Sequence, residues 1–503
     1  MNQYTTQQMR HRDNGVVFQS TRKKTNYSMK PNHHTIGFFH YIANFTDGVS
    51  LEMNKWRQVL EGMGHTVHYC AGQYGASPET IVKEMYHHLP EITRLNYNTF
   101  TALHDFDPPG YKAELEKWAT ILEEKFRRFI QEKGINLIVA QNVWCVGANP
   151  AVAVALERVR RAFNIPALAH NHDFYWERTN GVALTNRYAI ELADKYLPPR
   201  DPKITHAVIN SLGQYELWTR KGISATIVPN TFDFDAPTWK VDDYNRDFRE
   251  RIGVGKKDVL ILQATRLITR KGIEQALDFV KALNDPHRRA RLKAHGLYDG
   301  RPFNDESRIV LVLAGYARDD ATGSYKTRLA NKASALGVEA LFIEEIVDER
   351  RATRGGEKIY SLWDTYVHAD FVTYPSLWEG WGNQLLEAIR AKLPIMLFEY
   401  PVYEADIKSK GLWVVSLGNQ LSGQDENGLV TIDSQVIEAA ADQAVDLLTD
   451  AQLRQETVEH NFHIGKKFFS LDALYIYLEQ LIRRCDLQRS SRVAYHYEIA
   501  DHQ

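Results

Sequence analysis

The chain has 503 residues, of which 44% are hydrophobic and 25% are charged. A globular chain of this length is too long for one compact core, so two or three domains are expected. Lysine and arginine total 61 against 63 acidic residues, and the net charge of −2 excludes a general attraction to nucleic acid or to an anionic membrane surface.

Cysteine usage and the N-terminus bear on the compartment. Cys70, Cys145 and Cys485 form no CxxC pair, which fits a reducing compartment rather than a disulfide framework. The N-terminus is polar and lacks the apolar core of a signal peptide. No run approaches the roughly 18 apolar residues that a membrane-spanning helix requires. These features predict a cytoplasmic protein without a transmembrane segment.

The first half of the chain alternates short apolar runs with longer helical patterns. Residues 1–33 are polar and predict a flexible tail. Strands are then expected at residues 35–41, 67–70, 135–140 and 165–169, with a helix at residues 50–61. This alternation predicts βαβ units and a parallel sheet.

A second series of the same kind follows an interruption. Proline and polar residues at 228–233 and a charged stretch at 240–251 mark a domain boundary. Strands are expected again at residues 259–264, 309–314, 341–343 and 371–375, with a helix at 273–283. The charged stretch at 348–358 is expected to be a surface loop.

These patterns predict an α/β protein with two doubly wound, Rossmann-like domains. Ligands of such sheets gather at the carboxyl ends of the strands, which here can face each other across a cleft. The predicted parts are an N-terminal tail (1–33), a first domain (34–228), a linker (229–257), a second domain (258–452), a C-terminal helical segment (453–484) and a tail (485–503).

The most informative segment runs from Trp378 to Glu387. A strand, a glycine-bearing turn and a helix place Glu379 in the turn and Glu387 in the helix. Gly380 and Gly382 allow a ligand to approach the backbone, and the first-turn N–H groups favour anionic or hydroxyl-rich ligands. The segment suits a sugar attached to a phosphate. The alternative is an ordinary corner with two solvated glutamates, in which tryptophans 378 and 381 only pack.

A basic turn follows the first strand of the second domain. Arg266 lies at the end of that strand, and Lys271 lies at the start of the next helix. Two such cations can hold a diphosphate, arginine by its planar fork and lysine as a point charge. A solvated basic turn is the alternative, and we expect it to describe Arg270.

Polar residues after two strands of the first domain are further candidates. His172 and Asp173 follow a strand within a His-x-His pattern, which suggests a metal site or, more simply, capped loop residues. Asp47 and Gly48 precede the first helix, where glycine permits close ligand approach and aspartate can cap the helix. Two Asp-x-Asp patterns, at 105–107 and 233–235, are interpreted as structural rather than as metal ligands.

Four segments in one order carry a resemblance to a known family. They are His172-Asp173, a Pro-Asn-x-x-Asp crossover at residues 229–233, Arg-Leu-x-x-x-Lys-Gly at residues 266–272, and the two glutamates eight positions apart. Over residues 35–480 the chain resembles the retaining GT-B glycosyltransferases of glycosyltransferase family 4. It departs from their pattern at Thr231, where glycine is usual, and at Asp47-Gly48, where paired glycines are usual.

The resemblance implies a role for each candidate residue. Arg266 and Lys271 would neutralise the donor diphosphate, and Glu387 would bind the ribose hydroxyls. Glu379 would bind the donor sugar, and His172 would lie over that sugar. The implied backbone contacts to the donor come from Gly380, Trp381, Gly382 and Asn383, and the acceptor side would include Asp47, Gly48 and Asp173.

The implied reaction moves a hexose of glucose or mannose type from a UDP or GDP sugar to an acceptor hydroxyl, with retention of anomeric configuration. No cofactor beyond this donor and no metal is required when fixed cations stabilise the leaving diphosphate. A glycoside phosphorylase or a nucleotide-sugar epimerase on the same fold remains an alternative, as does a non-catalytic sugar-nucleotide-binding protein.

Overall fold

The computed structural model describes residues 32–45, 47–178, 181–315 and 323–497. Nearly all of the expected N-terminal tail, residues 1–31, lies outside the described residues, as do the last six residues of the expected C-terminal tail.

The first sheet has seven parallel strands in the order β3-β2-β1-β4-β5-β6-β7. Its strands are β1 (Thr35–Ala43), β2 (Thr66–Tyr74), β3 (Thr80–Ile81), β4 (Leu137–Gln141), β5 (Ala167–Asn171), β6 (Ile204–Val208) and β7 (Ala225–Ile227). Strands β4, β5 and β6 are buried throughout, as expected for a parallel sheet covered by helices on both faces.

The second sheet has six parallel strands in the order β10-β9-β8-β14-β15-β16. Its strands are β8 (Val259–Gln263), β9 (Ile309–Leu313), β10 (Ala340–Phe342), β14 (Phe371–Tyr374), β15 (Ile395–Leu397) and β16 (Val415–Ser416). The predicted α/β class with two doubly wound sheets is therefore confirmed.

The charged stretch at residues 348–358 was expected to be a loop, and this prediction was wrong. It contributes to a small sheet of β11 (Val347–Asp348), β12 (Ala352–Arg354) and β13 (Glu357–Ser361). Gly355 and Gly356 have φ angles of 57° and 85°, which is the geometry of a tight hairpin turn that joins twisted strands. The Gly-Gly pair was the missed signal. A second hairpin pairs β17 (Gly423–Gln424) with β18 (Val430–Thr431).

Helices cover both sheets. The helices of the first half are α1 (Gly48–Gly62), α2 (Pro90–Phe100), α3 (Pro108–Lys133), α4 (Pro150–Phe163), α5 (Arg187–Tyr196), α6 (Ser211–Lys221) and α7 (Phe248–Arg251). Those of the second half are α8 (Ile273–Leu283), α9 (Pro286–His295), α10 (Ser324–Leu336), α11 (Leu362–His368), α12 (Asn383–Arg390), α13 (Ser434–Thr449), α14 (Ala451–Phe469) and α15 (Leu471–Tyr497). Among the described residues, none of these helices combines the length and the apolar character needed to cross a bilayer.

The C-terminal segment expected at residues 453–484 forms two helices, α14 and α15, and α15 continues to Tyr497. Leu474, Leu478 and Leu481 of α15 are fully buried and share an apolar cluster with Trp56 of α1. The end of the chain therefore lies against the first sheet, whereas α14 packs beside α12 and α13 of the second half.

The strand order reverses once in each sheet, between β1 and β4 and between β8 and β14. Loops that leave neighbouring strands at such a point run to opposite faces and open a crevice at the carboxyl ends. The loops after β1, β5, β8 and β14 carry most of the candidate residues of the sequence analysis.

Candidate active site

One cavity of about 1130 Å³ brings all the candidate residues together. It lies at the carboxyl ends of the two parallel sheets. Its lining includes Asp47, Gly48, His172, Asp173, Arg266, Lys271, Glu379, Gly380, Trp381, Gly382, Asn383 and Glu387. Residues far apart in the sequence thus surround one volume, which is large enough for a nucleotide-sized ligand.

The turn before α12 presents a helix N-terminus to this cavity. Gly382 is the N-cap of α12 with a φ of 114°, and no side chain caps this end of the helix. The Tyr400 hydroxyl donates a hydrogen bond to the Trp381 carbonyl at 2.7 Å and fixes the turn. The first-turn N–H groups therefore face a cavity that favours an anionic ligand.

Glu379 is buried between two cations. Its Oε1 accepts a hydrogen bond from Lys271, and its Oε2 accepts one from Arg270 at 2.8 Å. Burial by itself would raise the pKa of this carboxyl, but the charges of Lys271 and Arg270 outweigh burial and lower it. Glu379 is therefore ionised, and the site holds two positive charges around it.

Arg270 was expected to be a solvated turn residue, and this expectation was wrong. Besides Glu379, its guanidinium donates to the Trp378 carbonyl at 2.9 Å and lies 5.6 Å from the centre of the Trp378 ring. Nothing local in the sequence distinguished Arg270 from any other basic residue of a turn.

Glu387 is a half-buried residue of α12 that lines the cavity. The Tyr366 hydroxyl donates to its Oε2 at 2.8 Å. Burial raises the pKa of Glu387, and the hydrogen bond from Tyr366 opposes this shift only in part. Tyr366 comes from α11 and was not identified from the sequence.

Two asparagines of the first half hold the second half's glycine-rich turn. The Asn210 amide donates to the Gly380 carbonyl at 2.7 Å, and the Asn230 amide donates to Asn383 Oδ1 at 2.8 Å. Asn230 belongs to the crossover motif, whereas Asn210 was missed because it is a common N-cap residue, here of α6. These bonds place the loops after β6 and β7 against the start of α12.

Asp47 is both a helix cap and part of the cavity lining. Its Oδ1 accepts hydrogen bonds from the N–H groups of Val49 and Ser50, both at 3.1 Å. Its Oδ2 is buried and has no hydrogen-bond partner among the described residues. A buried carboxylate oxygen without a partner is costly, and a ligand hydroxyl in the cavity would satisfy it.

His172 and Asp173 are held by the loop after β4. Asn142 Oδ1 accepts from the His172 backbone N–H at 2.7 Å, and its amide donates to Asp173 Oδ2 at 3.2 Å. His170 and His172 both lie within hydrogen-bonding distance of Gln141 Oε1. Over the described ranges, no group of three or more His, Cys, Asp or Glu side chains is arranged to hold a metal ion.

The buried histidines predict an early loss of stability in acid. Burial, followed by the charges of His40 and Lys55, lowers the pKa of His172 to about 3, and burial lowers that of His206 to about 4. The unfolded chain protonates these groups near pH 6.5, whereas the folded chain does not. Their contribution to stability is therefore complete above pH 6.5 and is lost as the pH falls from 6.5 to about 4 for His206 and to about 3 for His172.

We expect the free energy of unfolding in urea to fall over this interval, with each histidine contributing up to about 1.4 kcal/mol per pH unit. Replacing His172 with glutamine should reduce the dependence of the free energy of unfolding on pH by the contribution of one protonated group. An identical slope in wild type and His172→Gln would contradict the assignment.

Comparison with known proteins finds similarity to glycosyltransferases. The family model "Glycosyl transferases group 1" matches residues 245–462. The chain is 38% identical to mannosylglucosylglycerate synthase of Thermotoga maritima over 441 residues, which is 87% of this chain and 97% of that protein. It is 36% identical to the enzyme of the same name from Petrotoga mobilis over 436 residues, 87% of this chain and 98% of that protein.

Solved structures share the architecture at low sequence identity. A glycosyltransferase from Rickettsia africae matches with a TM-score of 0.56 at 11% identity, over 90% of this chain and 99% of that one. An α,α-trehalose 6-phosphate synthase from Burkholderia multivorans matches with a TM-score of 0.55 at 12% identity, over 91% of this chain and all of that one. These likenesses bear on the fold alone, and they confirm the expected GT-B architecture. Its 38% and 36% identity to the two mannosylglucosylglycerate synthases, together with the matching family model, shows that the protein belongs to the group 1 glycosyltransferases.

Proposed function

We propose that this glycosyltransferase transfers a mannosyl group from a nucleoside diphosphate mannose to glucosylglycerate, as a retaining enzyme of family 4. The donor nucleoside is guanosine or uridine. The observation that carries the proposal is the cavity in which three features converge: a helix N-terminus, two cations beside Glu379, and the buried Oδ2 of Asp47, which has no hydrogen-bond partner among the described residues. The sugar and the acceptor rest on the two relatives, whose name describes a mannosyl-glucosyl-glycerate product.

The proposed chemistry places the leaving diphosphate against Arg266, Lys271 and the N-terminus of α12. Negative charge grows on the leaving phosphate as the glycosidic bond breaks, and fixed donors in a water-poor cavity stabilise it without reorganising. On this proposal Lys271 exchanges part of its contact with Glu379 for the diphosphate when the donor binds. The departing phosphate oxygen takes the proton of the acceptor hydroxyl on the same face, so the anomeric configuration is retained.

The remaining residues bind and orient the donor. Glu387, already held by Tyr366, would accept hydrogen bonds from the ribose hydroxyls, and Glu379 would orient the sugar with the N–H groups of Gly380 to Asn383. His172, uncharged near pH 7 because burial lowers its pKa to about 3, would lie over the sugar. Residues 34–228 would form the acceptor-side domain and residues 258–452 the donor domain.

We also propose a cytoplasmic location. All three cysteines are buried and unpaired, as in proteins kept in a reducing compartment.

The direct test combines nucleotide binding with product analysis. We expect GDP or UDP, but not both equally, to raise the melting temperature of the protein. Incubation of the corresponding mannose donor with glucosylglycerate should then release that nucleotide and yield one mannosylated product, whose linkage configuration by NMR matches the donor. Release of a free sugar phosphate would indicate a phosphorylase instead, and an isomerised donor formed without acceptor would indicate an epimerase. Absence of any nucleotide-induced shift in the folded protein would contradict a donor site.

A further inference from the structure

A second cavity, of about 490 Å³, adjoins the first beside Asp173 and Trp378. Asp173 lines both cavities, and Trp378 precedes Glu379 in the turn. Most of the remaining lining comes from the first half of the chain, from the segments after β3, β4 and β5. A molecule in this cavity would thus lie next to the reacting centre on the acceptor side.

Arg178 is the cation of this cavity. Its Nη1 donates to Asn96 Oδ1 at 3.1 Å, its Nη2 donates to the Val146 carbonyl at 3.3 Å, and its guanidinium lies 4.2 Å from the centre of the Phe100 ring. Its Nε is buried without a hydrogen-bond partner, and it forms no ion pair with any residue that the structure describes. Burial lowers the pKa of Arg178, because the charge is partly desolvated without a counter-ion.

The neighbours of Arg178 are built to hold it in place. The Asn96 amide donates to the carbonyls of Gly147 and Ala148, at 2.8 and 3.1 Å, which directs its Oδ1 to Arg178. A partly buried guanidinium fixed by neutral acceptors keeps its charge available for an incoming anion. Arginine binds a carboxylate through two parallel N–H···O bonds, which gives both strength and orientation.

The rest of the cavity suits a sugar. Asp173 and Glu177 contribute carboxyl groups, and neither forms an ion pair with Arg178. Burial raises the pKa of both groups, that of Glu177 to about 7, which weakens their repulsion of an incoming anion. Carboxylates accept hydrogen bonds from sugar hydroxyls. Trp378 has 45% of its surface exposed, and such a ring provides a flat face for a pyranose. The cavity therefore combines one cation for an acid group with acceptors and an aromatic face for a glycosyl unit.

We propose that this second cavity binds the acceptor and that Arg178 receives its carboxylate, which makes the enzyme selective for glycosides of a hydroxy acid. This inference rests on the proposed function. It adds the residue that distinguishes an acidic acceptor from a neutral one.

The test compares glucosylglycerate with glucosylglycerol, in which a CH₂OH group replaces the carboxylate. Wild-type enzyme should prefer glucosylglycerate at least tenfold in kcat/KM. Arg178→Gln should raise the KM for glucosylglycerate about tenfold or more and leave the KM for glucosylglycerol within about twofold. Arg178→Lys retains the charge and most of the packing on Phe100. Its KM for glucosylglycerate should lie between those of the wild type and Arg178→Gln, and its KM for glucosylglycerol should be unchanged.

The matched control is Arg187→Gln. Arg187 is an exposed arginine that stacks 4.6 Å from the Tyr188 ring and lines neither cavity, so its loss should leave both KM values unchanged. Melting temperatures with and without the nucleotide report whether each variant is folded and binds the donor.

Two outcomes would overturn the carboxylate site while leaving the proposed function intact. One is equal use of both acceptors by the wild type, and the other is an equal effect of the Arg178 variants on both acceptors, which is the signature of a purely structural arginine. Failure of the wild type to glycosylate either acceptor would refute the proposed function and this inference together.

Discussion

Replacing Lys271 with methionine is expected to lower the rate of sugar transfer about a thousandfold. The Lys271 side chain is only 10% exposed and forms an ion pair with Glu379. In the proposed mechanism it faces the diphosphate, where removal of one fixed donor from a water-poor site typically costs a factor of 10² to 10³. The Lys271 ammonium lies 5.8 Å from the centre of the Tyr374 ring. Methionine fills a volume similar to that of the lysine chain, so it preserves the packing beside this ring. Steady-state kinetics at saturating donor measure the effect.

Stability needs a separate control, because Glu379 remains buried when Lys271 is lost. Breaking a buried pair by removing one partner costs roughly 3 to 5 kcal/mol in general, although Arg270 still contacts Glu379 here. The double variant Lys271→Met with Glu379→Gln should recover much of the stability and none of the activity. Recovery of activity in the double variant, or normal turnover in Lys271→Met, would rule out the diphosphate role.

Lys408→Met is the matched control for the loss of a lysine. Lys408 also pairs with a glutamate, Glu399, at 2.5 Å, but its side chain is 51% exposed and it lies outside the cavity lining. The rate of sugar transfer by Lys408→Met should stay within about twofold of the wild-type rate.

Replacing Gly382 with alanine is expected to reduce the free energy of unfolding by about 3 kcal/mol or more and to abolish donor binding. The φ of Gly382 is 114°, and a Cβ at this position would lie 2.2 Å from the Tyr400 hydroxyl and 3.1 Å from the Tyr374 hydroxyl. Backbone strain of this kind costs about 1 to 3 kcal/mol, and the overlap with Tyr400 adds to it. Urea denaturation and a nucleotide thermal-shift titration measure the two effects.

Gly411→Ala is the control variant that measures the cost of backbone strain without steric overlap. The φ of Gly411 is 85°, and a Cβ there would meet no atom within 4 Å, so Gly411→Ala should show the cost of strain alone. Adding Tyr400→Phe to Gly382→Ala removes the hydroxyl and should recover part of the stability. Equal destabilisation by Gly411→Ala and Gly382→Ala would show that Tyr400 does not restrict this turn.

The local sequence was sufficient to predict eight of the thirteen strands that the described residues contribute to the two parallel sheets, and the edge of the sheets where the candidate site lies. It did not predict β3, β6, β7, β15 and β16. The run at 259–264 corresponds to β8 (Val259–Gln263), and the run at 309–314 corresponds to β9 (Ile309–Leu313). Continuous apolar runs alternating with helical periodicity are a property of neighbouring residues, so they are visible without a structure. Since parallel strands place their carboxyl ends at one edge, the polar residues that follow them could be expected to converge.

The tertiary structure alone decided which side chains face one another. Arg270 is separated from Glu379 by 109 positions and Tyr366 from Glu387 by 21, and no local pattern marks either pair. The cavity of Arg178 likewise depends on Asn96, 82 positions away. Burial, ion pairing and pKa shifts depend on distances between residues from different elements, and packing sets these distances. The sequence by itself therefore determined the fold class and the sheet edge where the candidate site lies, whereas the pairing of charged side chains within that site depends on the packing of the folded chain.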